Sequence, residues 1–276
     1  MKNKHKYILI ILLIIFLFWT IFPFYWMFIT SVKADAELYN HESNPFLIKN
    51  FTWEHFDYLF KNTSFLIWFK NSLIICIGVT IITLIISFLA GYSLSRLKLR
   101  GSTFWGLLIF IAYLVPPSLL FIPLAQVVDT LKLTNSLFAL IMTYPTFTVP
   151  FTTWMLMSYF STIPYELEES ALVDGANRAQ ILFKIMIPVS LPGITTVGIF
   201  SFTLSWGEMM YAVIFINSTV KKTLPVGIIG ELVHGDVFWW GSLMAAALLA
   251  SVPLVIIYSF FTDLYVSGLT KGAVKG

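Results

Sequence analysis

Six apolar runs constrain this chain more than any other feature. The first covers residues 7–32 and holds no charged side chain between Lys6 and Lys33. A helix crosses the hydrocarbon core with about 20 apolar residues, whereas a barrel strand needs only about 9–11. Runs of this length therefore read as membrane helices, not barrel strands. Comparable runs follow at about 69–94, 103–128, 136–159, 191–216 and 237–266. Charged residues make up 11% of the chain, against about 25% in soluble domains. The predicted fold class is all-α, a polytopic membrane protein with six transmembrane helices in a single domain over residues 1–276.

Lys2, Lys4, His5 and Lys6 precede the first run, as in a signal peptide. The run is too long for one, and no small-residue cleavage site closes it. An uncleaved first span is expected. Cys76 is the only cysteine, which excludes an intrachain disulfide and a thiolate metal cluster. The basic residues scatter along loops, so the net charge of +3 points to no nucleic acid partner.

Orientation follows from lysine and arginine placement. One set of segments carries Lys2, Lys4, Lys6, Arg96, Lys98, Arg100, Arg178, Lys184, Lys271 and Lys275. The other carries Lys33, Lys49, Lys61, Lys70, Lys132, Lys221 and Lys222, mostly in one longer segment. Both termini are therefore expected in the cytoplasm of a bacterium, and the chain in its plasma (inner) membrane. Residues 33–68 and 217–236 become external segments. Trp53, Phe56, Tyr58, Phe60 and Trp68 suit the bilayer interface. Pro116, Pro117 and Pro123 in the third span, and Pro145 and Pro150 in the fourth, predict kinked or broken helices.

Between the fourth and fifth runs lies an acidic island, the loop 161–190, with Glu166, Glu168, Glu169 and Asp174. Its pattern reads helix, break, helix. Pro164 suits a first helical turn, and the acids suit the positive end of the helix dipole. Gly175 is the natural stop. Asn177 is placed to cap a second helix in which Ile181, Leu182, Ile185 and Met186 share one face. Pro188 and Pro192 are expected to end it at the membrane surface.

Glu169-Ser170-Ala171, three residues, Gly175, nine residues, then Ile185-x-Ile187-Pro188 resembles the signature loop of permease subunits in binding-protein-dependent ABC importers. Ser170 and Ile187 depart from the alanine and leucine of that pattern. Other fragments resemble the carbohydrate branch, in particular the smaller permease of maltose-type transporters. They include Asn71-Ser72-Leu73, residues 90–97, Val115-Pro116, Ile122-Pro123-Leu124 and the tail 268–276. Trp206-Gly207-Glu208 stands where the branch has Trp-Asn-Glu.

The resemblance implies a type I importer permease fold and half of a translocation path. It implies a second permease subunit, taken as a heterodimer partner, two cytoplasmic ATP-binding subunits and an extracytoplasmic solute-binding protein. It assigns ATPase coupling to Glu169, Asp174, Gly175 and Ala176, and a tail contact with the ATPase to Thr270, Lys271 and Gly272.

Glu208 lies within an apolar run, where a carboxylate is costly and is by default a functional candidate. Sugar hydroxyls suit its acceptor oxygens, and Trp206 and Tyr211 offer stacking faces. These three are the candidates for the substrate path. The plain alternative is a charge near the external end of the span, held by a partner subunit. His234 and Asp236 read as a solvated turn rather than a metal site. No phosphate-binding glycine loop and no hydrolase motif occurs. The chain is therefore expected to be no enzyme and to need no cofactor or metal, with ATP hydrolysis left to partner subunits. The competing class is a secondary transporter or channel subunit, which predicts internal repeats and paired broken helices with ion-binding residues. A membrane enzyme would need catalytic polar groups clustered at one depth, and none is evident.

Overall fold

The computed structural model describes residues 2–97 and 99–273, with side chains over 6–97 and 99–264. In chain order the helices are α1 (Lys2–Ser31), α2 (Asp35–Leu38), α3 (Glu54–Asn62) and α4 (Phe65–Arg96). Next come α5 (Ser102–Leu114), α6 (Pro117–Thr130), α7 (Leu137–Thr143) and α8 (Pro145–Phe160). The acidic island folds as α9 (Glu166–Val173), α10 (Arg178–Ile181), a π-helical turn (Leu182–Met186) and α11 (Ile187–Val189). Then follow α12 (Leu191–Trp206), α13 (Met210–Phe215), a 3-10 turn (Thr219–Lys221) and α14 (Leu224–Leu232). A short antiparallel hairpin, β1 (Val233–His234) and β2 (Val237–Phe238), precedes α15 (Trp240–Ala273).

Among the described residues, three stretches are long and apolar enough to cross a membrane unaided: Lys6–Ser31, Phe65–Arg96 and Trp240–Leu264. Two further candidates are bent pairs. Ser102–Leu114 and Pro117–Thr130 meet at 95°, and Arg178–Val189 and Leu191–Trp206 at 74°. The third expected span is thus interrupted at Val115-Pro116, because neither Pro116 nor Pro117 can supply the amide that would continue α5. The fourth divides at Tyr144, where Pro145 opens α8. The fifth divides at Gly207–Met209, between α12 and α13.

Several boundaries differ from expectation. α4 starts at Phe65, within the stretch read as external, because the Thr63 hydroxyl accepts the Phe65 amide and starts the helix. Trp68 is buried, not interfacial, and a Cβ on Gly227 would overlap its ring. The 217–236 segment, read as a plain loop, contains α14 and the hairpin, turned by Gly235 at φ 60°.

The chain divides into two compact units, Met1–Trp68 with Val226–Pro253, and Phe69–Pro225 with Leu254–Gly276. In the first unit the 33–51 segment is knotted locally. Lys33 pairs with Phe51 in an isolated β-bridge, and its ammonium donates to the Asn44 and Pro45 carbonyls. Buried His55 contacts the Lys33 carbonyl through Nε2 at 2.8 Å. In the second unit α8 packs on both α5 and α12. Thr83 and Thr148 share a 2.7 Å hydrogen bond, and Ser87 and Thr152 one of 2.6 Å. Small hydroxylated residues of this kind let membrane helices approach and bond across the seam.

Candidate functional site

The 161–190 loop is built from local signals on a long-range support. α9 begins at Glu166, two residues later than Pro164 suggests, because Tyr165 supplies the first accepting carbonyl, to Glu168 and Glu169. Glu166, Glu168 and Glu169 occupy its first turn, where negative charge is favoured. At the other end the Gly175 amide donates to Leu172 O and the Ala176 amide to Ala171 O. That pairing closes the last turn only with a left-handed residue at the glycine position. Gly175 has φ 84°, and nothing lies within 4 Å of where its Cβ would be.

Asn177 then caps α10 with a reciprocal box. Its side chain accepts the Gln180 amide at 2.9 Å, and the Gln180 side chain accepts the Asn177 amide at 2.8 Å. Ile181 and Met186 are fully buried, with Leu182 and Ile185 packed against the same cluster. Pro188 does not end the helix. The π turn places the Ile187 amide on Leu182 O, so the chain enters Pro188 without a break, and the bend falls at Ser190.

The support was not legible beforehand. Glu168 is buried, and its Oε1 accepts the Arg96 Nε–H at 2.5 Å. Tyr92 donates to Oε2 at 2.9 Å, and Arg178 stands 4.0 Å from it. The other Arg96 nitrogens donate to the carbonyls of Phe160, Ile163 and Pro164. The guanidinium lies 3.7 Å over the Tyr165 ring, whose hydroxyl donates to Ser95 O at 3.0 Å. In the sequence Arg96 stands with Lys98 and Arg100 as an orientation signal and falls in the family-like fragment 90–97, but neither sign points to Glu168. Beneath these groups Phe88, Tyr92, Leu156, Phe160, Ile163 and Ala171 form one apolar cluster.

Of the expected coupling residues, Glu169, Asp174 and Gly175 are exposed on one tip and Ala176 is half-buried. Exposed Leu167, Leu172 and Val173 accompany them, Val173 at 88%. The tip is thus acidic and apolar together. The backbone of Thr270, Lys271 and Gly272 continues α15, but their side chains lie outside the described residues, as does the rest of the tail beyond 273.

At the break in the fifth run, Glu208 accepts the Tyr211 amide at 2.7 Å and the Ala212 amide at 3.3 Å. The carboxylate thus serves the first turn of α13. Tyr211 is fully buried and its hydroxyl donates to Pro117 O at 3.0 Å, where α6 starts. Trp206 is buried, stacked on Phe202 and edge-on to Phe69. The structure brings Glu208 and Tyr211 together through the backbone. Trp206 and Tyr211 present no open stacking face in this chain. Among the described residues no cluster of His, Cys, Asp or Glu is arranged to hold a metal ion.

Residues 83–271 match the family described as the binding-protein-dependent transport system inner membrane component. The chain belongs to this family. As such an inner membrane component, it resembles curated permeases along nearly its whole length. It is 36% identical to the inner membrane ABC transporter permease protein YcjP of Escherichia coli, over 96% of this chain and 94% of that protein. It is 35% identical to the sulfoquinovosyl glycerol transport system permease protein SmoH of Agrobacterium fabrum, over 93% and 89%. It is 34% identical to the trehalose/maltose transport system permease protein MalG of Thermococcus litoralis, over 93% and 92%.

A chain of a bacterial ABC transporter that imports alginate superposes with a TM-score of 0.82 at 20% identity, covering 95% of this chain and 97% of the other. That likeness gives the fold, a type I ABC importer permease. The membership makes this chain a permease subunit of an ABC importer and sets aside the secondary transporter or channel, which its broken helices alone would not have done.

Proposed function

We propose that this permease forms half of the translocation path for a sugar or related solute. Its partners are a second, different permease subunit, two cytoplasmic ATP-binding subunits and an extracytoplasmic solute-binding protein. The observation that carries the solute class is the near full-length similarity to permeases named for trehalose/maltose and sulfoquinovosyl glycerol. The chain is the membrane part alone, and hydrolysis belongs to the ATP-binding partners.

Six spans bring both termini and the 161–190 loop to the cytoplasm. The loop tip is the docking element. Val173, Leu172 and Leu167 supply apolar contact, and Glu169 and Asp174 supply charge that fixes register on a basic cleft. Gly175 and Ala176 let the partner backbone come close, and the tail at Thr270, Lys271 and Gly272 adds a second contact. Coupling requires that the ATP-bound and ATP-free states hold this tip with different free energy. Trp206, Glu208 and Tyr211 frame the break that belongs to the path, with Glu208 shaping it by holding the start of α13.

Gly175→Arg tests this reading. The position is open and outside the apolar runs, so the spans remain. Arginine at φ 84° strains the turn and fills the approach to the partner. In a purified complex in lipid, uptake and ATPase stimulation by the loaded binding protein are both expected to be lost. Full stimulation with full uptake would refute docking through this tip.

A further inference from the structure

We infer that Arg96, Glu168 and Tyr92 form the joint that makes the docking loop and the second span move as one body. The inference rests on the docking reading above and adds how motion leaves the loop.

Two kinds of contact hold the loop. Ile163, Ala171, Ile181 and Met186 sit in an apolar cluster shared with α4, α8 and α12. Apolar contact is non-directional, so it holds the loop down while leaving it free to rock. The polar contacts are directional, and those described above converge on the last turn of α4. Tyr92 and Arg96 grip the Glu168 carboxylate, Arg96 grips the Ile163 and Pro164 carbonyls, and Tyr165 returns a bond to Ser95 O.

One guanidinium thereby fixes three pieces of chain: the end of α8 through Phe160 O, the entry strand of the loop, and α9 through Glu168. Its plane is pinned by the Tyr165 ring. A planar fork with this many directed donors cannot be reproduced by lysine, which carries its donors on one point.

What α4 can do with that grip follows from its shape. It runs unbroken from Phe65 to Arg96, a length of about 48 Å at 1.5 Å per residue. α12 and α13 are separated by a break at Gly207–Met209, and α5 meets α6 at 95°. A push on α9 delivered to an unbroken helix arrives at its far end, whereas one delivered to a broken helix can be absorbed at the break. Arg96 and Tyr92 are thus positioning residues. Both are buried within this chain and act through Glu168. Glu168 is turned inward to this joint, while its neighbours Glu166 and Glu169 face out.

The test is the number of solute molecules imported per ATP hydrolysed, measured on purified complexes in lipid whose subunit stoichiometry has been checked. A merely structural role lowers the yield of complex and leaves that ratio unchanged. Arg96→Lys should lower the ratio about tenfold, the worth of a charge-assisted bond. Tyr92→Phe removes a single hydroxyl that donates to the carboxylate and should also lower it about tenfold, the lower end of the worth of a hydrogen bond to a charged group. Where Arg96→Lys does not assemble, Tyr92→Phe decides alone.

Gly175→Arg is measured alongside. If it uncouples while the assembled Arg96→Lys and Tyr92→Phe complexes keep the wild-type ratio, the joint is refuted and docking stands. If Gly175→Arg itself keeps full stimulation and uptake, docking is refuted and the joint with it.

Discussion

The 33–51 segment and the 161–190 loop each bury a carboxylate, and they satisfy it in opposite ways. Glu37 takes its partners from its own segment: the amides of Lys49 and Asn50, the latter at 2.7 Å, and the Lys33 ammonium at 3.8 Å. Glu168 takes its partners mainly from a helix 72 positions earlier in the chain, through Arg96 and Tyr92. The first arrangement is a knot that holds a surface segment in shape. The second ties separate elements together. Loss of the knot should stay local, whereas loss of the tie should free the whole loop. The contrast also sorts function. A carboxylate satisfied by nearby amides is a scaffold, and one gripped by distant side chains can pass displacement between elements.

Three changes sharpen or break that contrast. The largest effect is expected from Arg96→Ala, which leaves the buried Glu168 carboxylate without its guanidinium and removes the bonds to the Phe160, Ile163 and Pro164 carbonyls. Breaking one side of a buried pair costs about 3–5 kcal/mol. Limited proteolysis should then cut within 161–190 in the variant and spare the wild type. Equal resistance would mean that the apolar cluster alone holds the loop.

Asn177→Ala removes one half of the capping box and should cost about 1 kcal/mol. It should raise hydrogen exchange at the Gln180 amide and leave α9 protected. Exchange spreading into α9 would show that the two halves of the loop are not separately stabilised.

The smallest effect is expected from protonating Glu37. Burial pushes its carboxyl up, but the Asn50 and Lys49 amides and the Lys33 and Lys49 charges outweigh that, so its pKa lies below the ordinary 4.5. A carboxyl lowered in the folded state contributes stability above its unfolded pKa and loses it as pH falls through the folded value. Protection of the Lys49 and Asn50 amides, corrected for intrinsic exchange, should therefore fall only below the ordinary carboxylate range. It should do so without loss of protection in 161–190. Simultaneous loss in both regions would end the distinction between knot and tie.

How much was legible in the chain depended on sequence distance. The stop at Gly175 and the cap at Asn177 could be read directly, because a left-handed turn and a capping box involve residues three to five apart. The long apolar stretches of α1, α4 and α15 could be read for the same kind of reason, since hydropathy accumulates along one segment. Proline positions foretold interruption at Pro117 and Pro145, but not the 95° angle at the first of them. That angle depends on what packs around the break.

Glu208 shows the boundary in a single residue. An acid in an apolar run could be flagged as unusual from the chain alone. That its oxygens hold the first turn of α13 depends on the chain breaking at Gly207, which no local periodicity announces. Arg96 shows it more fully. By position it is one basic residue among those that set orientation. The order of residues determined that this is a membrane chain, that α1, α4 and α15 hold its long apolar stretches, and that the first helix of the acidic loop stops at a glycine turn. Only the tertiary structure decided that Glu168 turns inward to Arg96 while Glu169 faces out. A buried charge must find its counter-charge in space, and 72 positions of chain contain no signal for which one it will meet.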